Sequence, residues 1–397
     1  MMILIKNIGE LFTGDIAAPT SAATSIRIVG GQIEAVGDDL ETGDEDRVID
    51  AAGRAVCPGL VDGHVHPTFG EWTPAQNATG WIGNYLHGGV TTMISAGELH
   101  IPGLDFANLT PELVTSIAVV SAHTTGRVRQ SGVRVHAGTV LLVPGMHTEH
   151  FDRLADAGCR FAKFIFYPFA ADAGGDDEAL AYLEQCRRRG IRVKTHTGGV
   201  SRSGASRPVG ADVLTRIEPD IAAHVSGGPI PMLDDDLRRA IAETSCALEV
   251  CSSMNYRSTT LVVDQLAGRD ELHRLTLGTD TPGGTGVIPR GMLRNVLLLA
   301  GVCGLEPATA LAVATGNTAR AHGLDTGVIE VGRPADLVVM GPVTGSTGST
   351  VSDAIAHGDL PGISHVITDG VVLVDGRSHQ TPPPIQPTVS CCDAASA

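Results

Sequence analysis

Aromatic residues are scarce, at 4% of 397 positions, so the core must be built from aliphatic side chains. Basic residues are also short. There are 28 Lys and Arg against 44 Asp and Glu, a formal charge of -16. No basic stripe runs along the chain. The patch Arg187-Arg188-Arg189 precedes Gly190 and reads as the last turn of a helix, where cations complement the helix dipole. A nucleic-acid partner is therefore not expected. No apolar run approaches the ~20 residues that span a bilayer. The longest, around Val296 to Ala300, is flanked by Arg294 and a glycine. Met1 to Lys6 lacks the charged region and small-residue cleavage site of a secretion signal. The expectation is a cytoplasmic protein with no membrane partner. The eight cysteines (57, 159, 186, 246, 251, 303, 391 and 392) form no CxxC pair. Most lie in apolar segments and read as reduced core residues, with Cys391-Cys392 on a tail.

Disorder across the chain is excluded by composition, 43% hydrophobic against 18% charged. The length allows one large core and a second, smaller one. Met2 to Ile8, Ser25 to Val29, Ile33 to Val36 and Arg47 to Asp50 read as short strands separated by turns. The same pattern returns at Gly327 to Ile329, Asp336 to Met340, His365 to Thr368 and Val371 to Val374, with an Asp369-Gly370 hairpin turn before the last. Both chain ends are therefore expected to build one small β-sandwich domain, from residues 1–56 and 326–380. Between them, β-branched runs alternate with helical patterns, the sign of repeated βα units. Eight candidate strands are Ala55 to Val65, Thr91 to Ala96, Arg134 to Val143, Arg160 to Phe166, Arg192 to His196, Ile221 to Val225, Cys246 to Cys251 and Leu275 to Gly278. Asp176-Asp177 is expected to cap a helix ending at Gly190. Asp234 precedes another, and Pro307 starts one that ends near Gly323. Eight units over residues 57–325 match the size of a (β/α)8 barrel. The expected class is thus α/β, a TIM-like (β/α)8 barrel with a β-sandwich. A GxGxxG fingerprint is absent after the first strand, which weighs against a doubly wound sheet. Residues 381–397 open with three prolines and read as an extended arm or disordered tail.

In a parallel barrel the carboxyl ends of the strands face the site. His64 and His66 stand two apart at the end of the first strand, so both imidazoles share one face and make a metal pincer. A packed pair of histidines is the plain alternative for an isolated HxH. His196 and His224 each end a later strand, before small residues that let substrate approach. Taken singly, each reads equally as a core histidine. Asp280 follows the last strand, where an aspartate also serves as a helix cap. Lys163 lies in the apolar run Phe161-Ala162-Lys163-Phe164-Ile165-Phe166. Burying an ammonium is costly, and burial favours the neutral amine. A neutral amine reacts with CO2 to a carbamate, an anionic two-oxygen ligand able to bridge two metals. A snorkelling lysine is the alternative. Glu98, His100, Tyr167 and Arg290 are candidate substrate contacts. Each has a second reading: a helix cap for Glu98 and His100, apolar packing for Tyr167, a surface ion pair for Arg290.

Together these residues resemble the amidohydrolase superfamily. The resemblance is carried by Pro58 to His66, His196, His224, Gly278-Thr279-Asp280 and the closing run Ala314 to Leu324 with Gly327 to Val339. Leu86 to Gly97, His196 to Gly199, Ser226 to Pro229, Arg294-Asn295 and Gly358 to Ser364 resemble its enamidase branch. Lys163 stands where dihydropyrimidinase-like and dihydroorotase-like members carry a bridging carboxylated lysine. The resemblance implies two divalent metals, zinc first with iron or manganese as alternatives, and a homotetramer acting on a small molecule. One metal would be held by His64, His66, Lys163 and Asp280, the other by Lys163, His196 and His224. A metal-bridging hydroxide would attack an amide carbonyl, with Asp280 carrying the proton to the leaving nitrogen. The expected function is hydrolysis of the C–N bond of a cyclic amide, lactam or enamide-type substrate. An N-acyl amino acid or dipeptide hydrolase, and a mononuclear heterocycle deaminase on the same fold, are the alternatives. A metal-free binding relative is disfavoured, because every ligand position is filled.

Overall fold

The computed structural model describes residues 1–98, 100–129, 131–165, 173–200, 208–228, 230–253, 255–385 and 389–392. The middle of the chain holds two parallel sheets. β1 (Leu60–Val65), β2 (Val90–Ser95) and β3 (Arg134–His136) form the first, in the order β3-β2-β1. β4 (Val140–Leu141), β5 (Phe161–Phe164), β6 (Arg192–His196), β7 (Ile221–Ala223), β8 (Ala247–Cys251) and β9 (Leu275–Gly278) form the second, in sequence order. β9 lies beside β1. Val65 and Thr281 form a parallel bridge, and the Asp280 amide donates to the His64 carbonyl at 2.8 Å. Every residue of β1, β2 and β9 is buried. Strands covered on both faces read as continuous apolar runs, which is why the sequence shows runs and not alternation.

Helices connect these strands. α1 (Pro111–Arg127) is capped by Thr110, whose hydroxyl accepts from the Leu113 amide at 3.3 Å, and Pro111 needs no partner for a missing N–H. α2 (Ala173–Arg188) precedes Gly190, which has φ +67°. It starts before Asp176, so the expected cap lies inside its first turn. α3 (Asp234–Glu243), α4 (Tyr256–Ala267) and α5 (Gly291–Gly301) follow. α6 (Pro307–Ala312) runs into a π turn over Val313–Asn317 and a last helical turn, Thr318–Ala321.

Three expected strands come out differently. Ala55 to Val65 is two strands. Ala55–Pro58 pairs with Leu337–Gly341 and Glu10–Phe12, while β1 pairs with β2. Gly59 makes the change, and a Cβ there would lie 2.0 Å from the Thr91 hydroxyl oxygen. Arg134 to Val143 is likewise divided into β3 and β4 at Gly138, which has φ +89°. Gly327 to Ile329 is irregular. Gly327 has φ +80° and packs against the π turn, where its Cβ would meet Thr315 backbone at 2.8 Å.

The chain ends supply two further sheets. Met2–Lys6, Ser25–Val29, Gln32–Gly37, Arg47–Asp50 and Val389–Cys392 form one of five strands. Val389–Cys392, within the expected tail, pairs antiparallel with Arg47–Asp50. Glu10–Phe12, Thr20–Ser21, Ala55–Pro58, Leu337–Gly341, Gly362–Thr368 and Val371–Val374 form the other, of six. Both sheets contribute to one apolar cluster, with Ile3, Ile5 and Ile26 from the first and Leu11, Val56, Leu337 and Val339 from the second. Asp369 and Gly370, at φ +47° and +70°, make the hairpin turn. Among the described residues, no helix is long and apolar enough to cross a membrane.

Candidate metal centre

At the carboxyl ends of the parallel strands, six polar side chains meet below the surface. His64 is the penultimate residue of β1, and His66 follows its end. β5 carries Lys163, β6 ends in His196, His224 follows β7 and Asp280 follows β9. All six are buried. Asp280 Oδ1 lies 3.2 Å from His66 Nε2 and 3.5 Å from His64 Nε2. Lys163 Nζ is 3.1 Å from His64 Nε2. The His64 and His224 rings are 5.3 Å apart between centroids, and His196 and His224 are 4.6 Å apart. Ligand atoms of His64, His66 and Asp280 all lie within 4.8 Å of one another.

The backbone is shaped around this group. Asp280 has φ +58° and His224 φ +40°, a region that L-residues seldom occupy and that is found at functional sites. Asp62 ties β1 to β9, with its carboxylate accepting from the Thr279 hydroxyl at 2.6 Å, the Thr279 amide at 2.9 Å and the His64 amide at 3.2 Å. Burial pushes its pKa up to about 7 against those bonds. Gly284 must lack a side chain, since a Cβ would lie 2.0 Å from Asp280 Oδ2.

Three of the histidines have fixed tautomers. His64 Nδ1 meets Glu249 Oε1 at 2.5 Å, His66 Nδ1 meets the Gly97 carbonyl at 2.7 Å, and His196 Nε2 meets the Gly199 carbonyl at 3.0 Å. These oxygens only accept, so each facing nitrogen carries the proton and the opposite nitrogen keeps its lone pair. His224 Nδ1 is buried with no partner among the described residues. Burial holds His64 and His224 well below the ordinary imidazole pKa and His196 at about 4, so these rings are neutral at pH 7. Burial opposes ionisation of Asp280. A proton on the facing imidazoles, His66 above all, or a cation in its place, outweighs it and holds the carboxyl well below the usual range. With the rings neutral and the carboxylate ionised, acceptors face acceptors at 3.2 and 3.5 Å. Such an arrangement calls for a cation among them, and the donor set of imidazoles with a carboxylate fits a divalent transition metal. Lys163 is held at about pKa 8, with burial as the main cause.

Glu98 is buried past β2, with Oε1 accepting from the Ser95 hydroxyl at 2.9 Å and the Gly138 amide at 3.1 Å. The His100 ring stands 4.8 Å from the His66 ring, edge to face. Tyr167 lies outside the described residues. Arg290 is exposed at the start of α5 and makes no ion pair among the described residues, against the surface-pair reading. Four further side chains belong to the group. Ser253 donates to Asp280 Oδ2 at 3.2 Å. Glu249 on β8 bonds both His64 and Lys194, and Lys194 Nζ lies 2.8 Å from Glu249 Oε2. Glu249 carries the same signal as Lys163, a lone charge in an apolar strand. Cys251 Sγ lies 3.7 Å from Glu249 Oε1.

Residues 55–373 match the amidohydrolase family. Over 384 residues the chain is 37% identical to an enamidase of Eubacterium barkeri, covering 96% of this chain and 97% of that protein. It is 29% identical over 344 residues to an adenine deaminase of Ruegeria sp. (strain TM1040), covering 79% of this chain and 50% of the deaminase. The solved structure of an enamidase superposes with a TM-score of 0.90 at 36% identity, covering 98% of this chain and 100% of that one. The solved structure of a Xaa-Pro dipeptidase superposes with a TM-score of 0.62 at 17% identity, a likeness of fold alone, over 94% of this chain and 100% of the other.

Proposed function

The chain belongs to the amidohydrolase family, and from that premise we propose that it hydrolyses the C–N bond of a small cyclic amide, lactam or enamide-type substrate. The observation that carries the reading is the set of fixed tautomers, which turns the lone pairs of His64 and His66 toward Asp280. Full-length likeness to an enamidase supports the substrate class. In this reading the two parallel sheets are one (β/α)8 barrel, and the two end sheets are a β-sandwich beside it. A homotetramer goes with the likeness to the enamidase.

His64, His66 and Asp280 would hold one divalent ion, His196 and His224 a second, and Lys163 would lie between them. Zinc is the first choice, with iron or manganese as alternatives. Such ions supply a nucleophile from water at neutral pH and polarise an amide carbonyl. Lys163 would serve as a carbamate. Its neutral amine attacks the carbon of CO2 and loses a proton, leaving one negative charge over two oxygens. With a pKa of about 8, roughly a tenth of it is free amine at pH 7.

Asp280 has one oxygen facing the histidines and the other fixed by Ser253. The carboxylate therefore keeps one orientation. Held ionised, it accepts the proton of the attacking water and returns it to the leaving nitrogen, which departs poorly as an anion. His100, beside His66, and Glu98 are the substrate contacts of this proposal. Burial raises the Glu98 pKa against the two hydrogen bonds that its Oε1 accepts.

The test is metal stoichiometry by mass spectrometry on freshly purified protein, with a screen of lactams, cyclic imides, N-acyl amino acids and adenine. The expected result is two metals per chain and turnover of a cyclic amide. Release of ammonia from adenine by a one-metal protein would replace this reading with a deaminase. No metal, even after reconstitution with bicarbonate, would overturn it.

A further inference from the structure

We propose that Glu249 is a positioning residue. Its carboxylate fixes the tautomer and orientation of His64, and the Lys194 ammonium holds it to that task. The proposal rests on the reading of His64 as a metal ligand. Glu249 sits on β8 and Lys194 on β6, and both are fully buried. Neither carboxylate oxygen is idle. Oε1 accepts from His64 Nδ1 at 2.5 Å, and Oε2 accepts from Lys194 Nζ at 2.8 Å. Lys194 Nζ also donates to the Gly63 carbonyl. The pair thus grips β1 at two successive residues, the main chain of Gly63 and the ring of His64.

Stability alone gives a poor account of this pair. A fully buried ion pair loses the hydration of two charges, and a well-packed apolar pair of similar volume often does as well. Orientation gives a better one. His64 Nε2 faces both Lys163 and Asp280, and its lone pair is free only while the proton stays on Nδ1. An ionised carboxylate cannot donate, so it admits one tautomer only. The second oxygen is occupied by Lys194, which keeps the carboxylate from swinging away from the ring.

The experiment compares wild type, Glu249→Gln and the double variant Glu249→Leu/Lys194→Met. The readouts are zinc affinity by competition with a chelator, metals per chain, and the thermal midpoint of each metal-free protein. The double variant leaves no unpaired charge and should fold with a midpoint near that of wild type. It should bind zinc about ten- to a hundredfold more weakly, the usual loss when a partner of a metal-bound histidine is removed. Glu249→Gln should weaken zinc as well. Its amide nitrogen must face either His64 Nδ1, forcing the ring proton onto Nε2, or the Lys194 ammonium, donor against donor. Two metals in wild type, held as tightly by the double variant, would overturn the proposal and leave the metal reading standing. A wild type that takes up no zinc would overturn both.

Discussion

Lys163 on β5 and Lys194 on β6 are partners in register, and both are buried. Their surroundings differ in one respect. Lys194 has a carboxylate, Glu249, and the Gly63 carbonyl as a second acceptor. Lys163 has neither an ion pair among the described residues nor a main-chain acceptor, and its nitrogen faces the His64 ring. Burial is the largest influence on Lys163 and brings its pKa from 10.5 to about 8, against the opposing charge of Asp280 and with the Lys194 charge adding to it. The same side chain at the same depth meets a carboxylate on one strand and an imidazole on the next. Depth in the fold does not decide whether the ammonium is paired. A carboxylate in direct contact does.

Replacing each lysine separates the two roles. Lys163→Ala should lower kcat by about a hundred- to a thousandfold, the scale seen when a group stabilising the transition state is removed. Short carboxylic acids added to the assay should restore part of it, by standing where the carbamate stood. Unchanged activity would show that Lys163 bridges nothing. Stability should follow the opposite order. Lys194→Met leaves Glu249 as a buried, unpaired charge and should cost about 3–5 kcal/mol in denaturant unfolding. Lys163→Met removes a poorly paired ammonium, so the metal-free protein should be as stable as wild type or more so. Equal losses from both variants would erase the distinction between the strands.

Features set by local spacing could be read from the sequence. His64 and His66 share a face because they are two apart on a strand, and Asp369-Gly370 makes its hairpin turn with the positive φ values such a turn requires. Lys163 stood out as a charge in an apolar run. Glu249 in Ala247–Cys251 gives the same signal, whereas Lys194 stands among Arg192, Thr195 and His196 and does not. Their partners are set by strand order, which puts residues 55 positions apart within 2.8 Å. The division of Ala55 to Val65 was hidden for the same reason. All its residues are buried, and Gly59 is required only because Thr91 packs against it. Arg290, a candidate substrate contact with a surface ion pair as its second reading, stands exposed and makes no ion pair among the described residues.

The pH dependence of stability provides the finest test of the lysine comparison. The folded pKa of Lys163 is below its unfolded value, so between about pH 8 and 10.5 the unfolded chain binds more protons at this residue than the folded one. Stability then rises with pH across that window. Below pH 8 the cost of the buried ammonium is present in full. It is relieved as pH rises toward 10.5, by about 3 kcal/mol at the extreme. Other groups titrate in the same range, so the quantity to measure is a difference. Metal-free wild type and Lys163→Met, unfolded in urea at intervals from pH 7 to pH 10, should converge in the sense that wild type gains on the variant as pH rises. A constant difference would mean that Lys163 keeps its ordinary pKa in the fold, and that its nitrogen is no more reactive toward CO2 than that of a surface lysine.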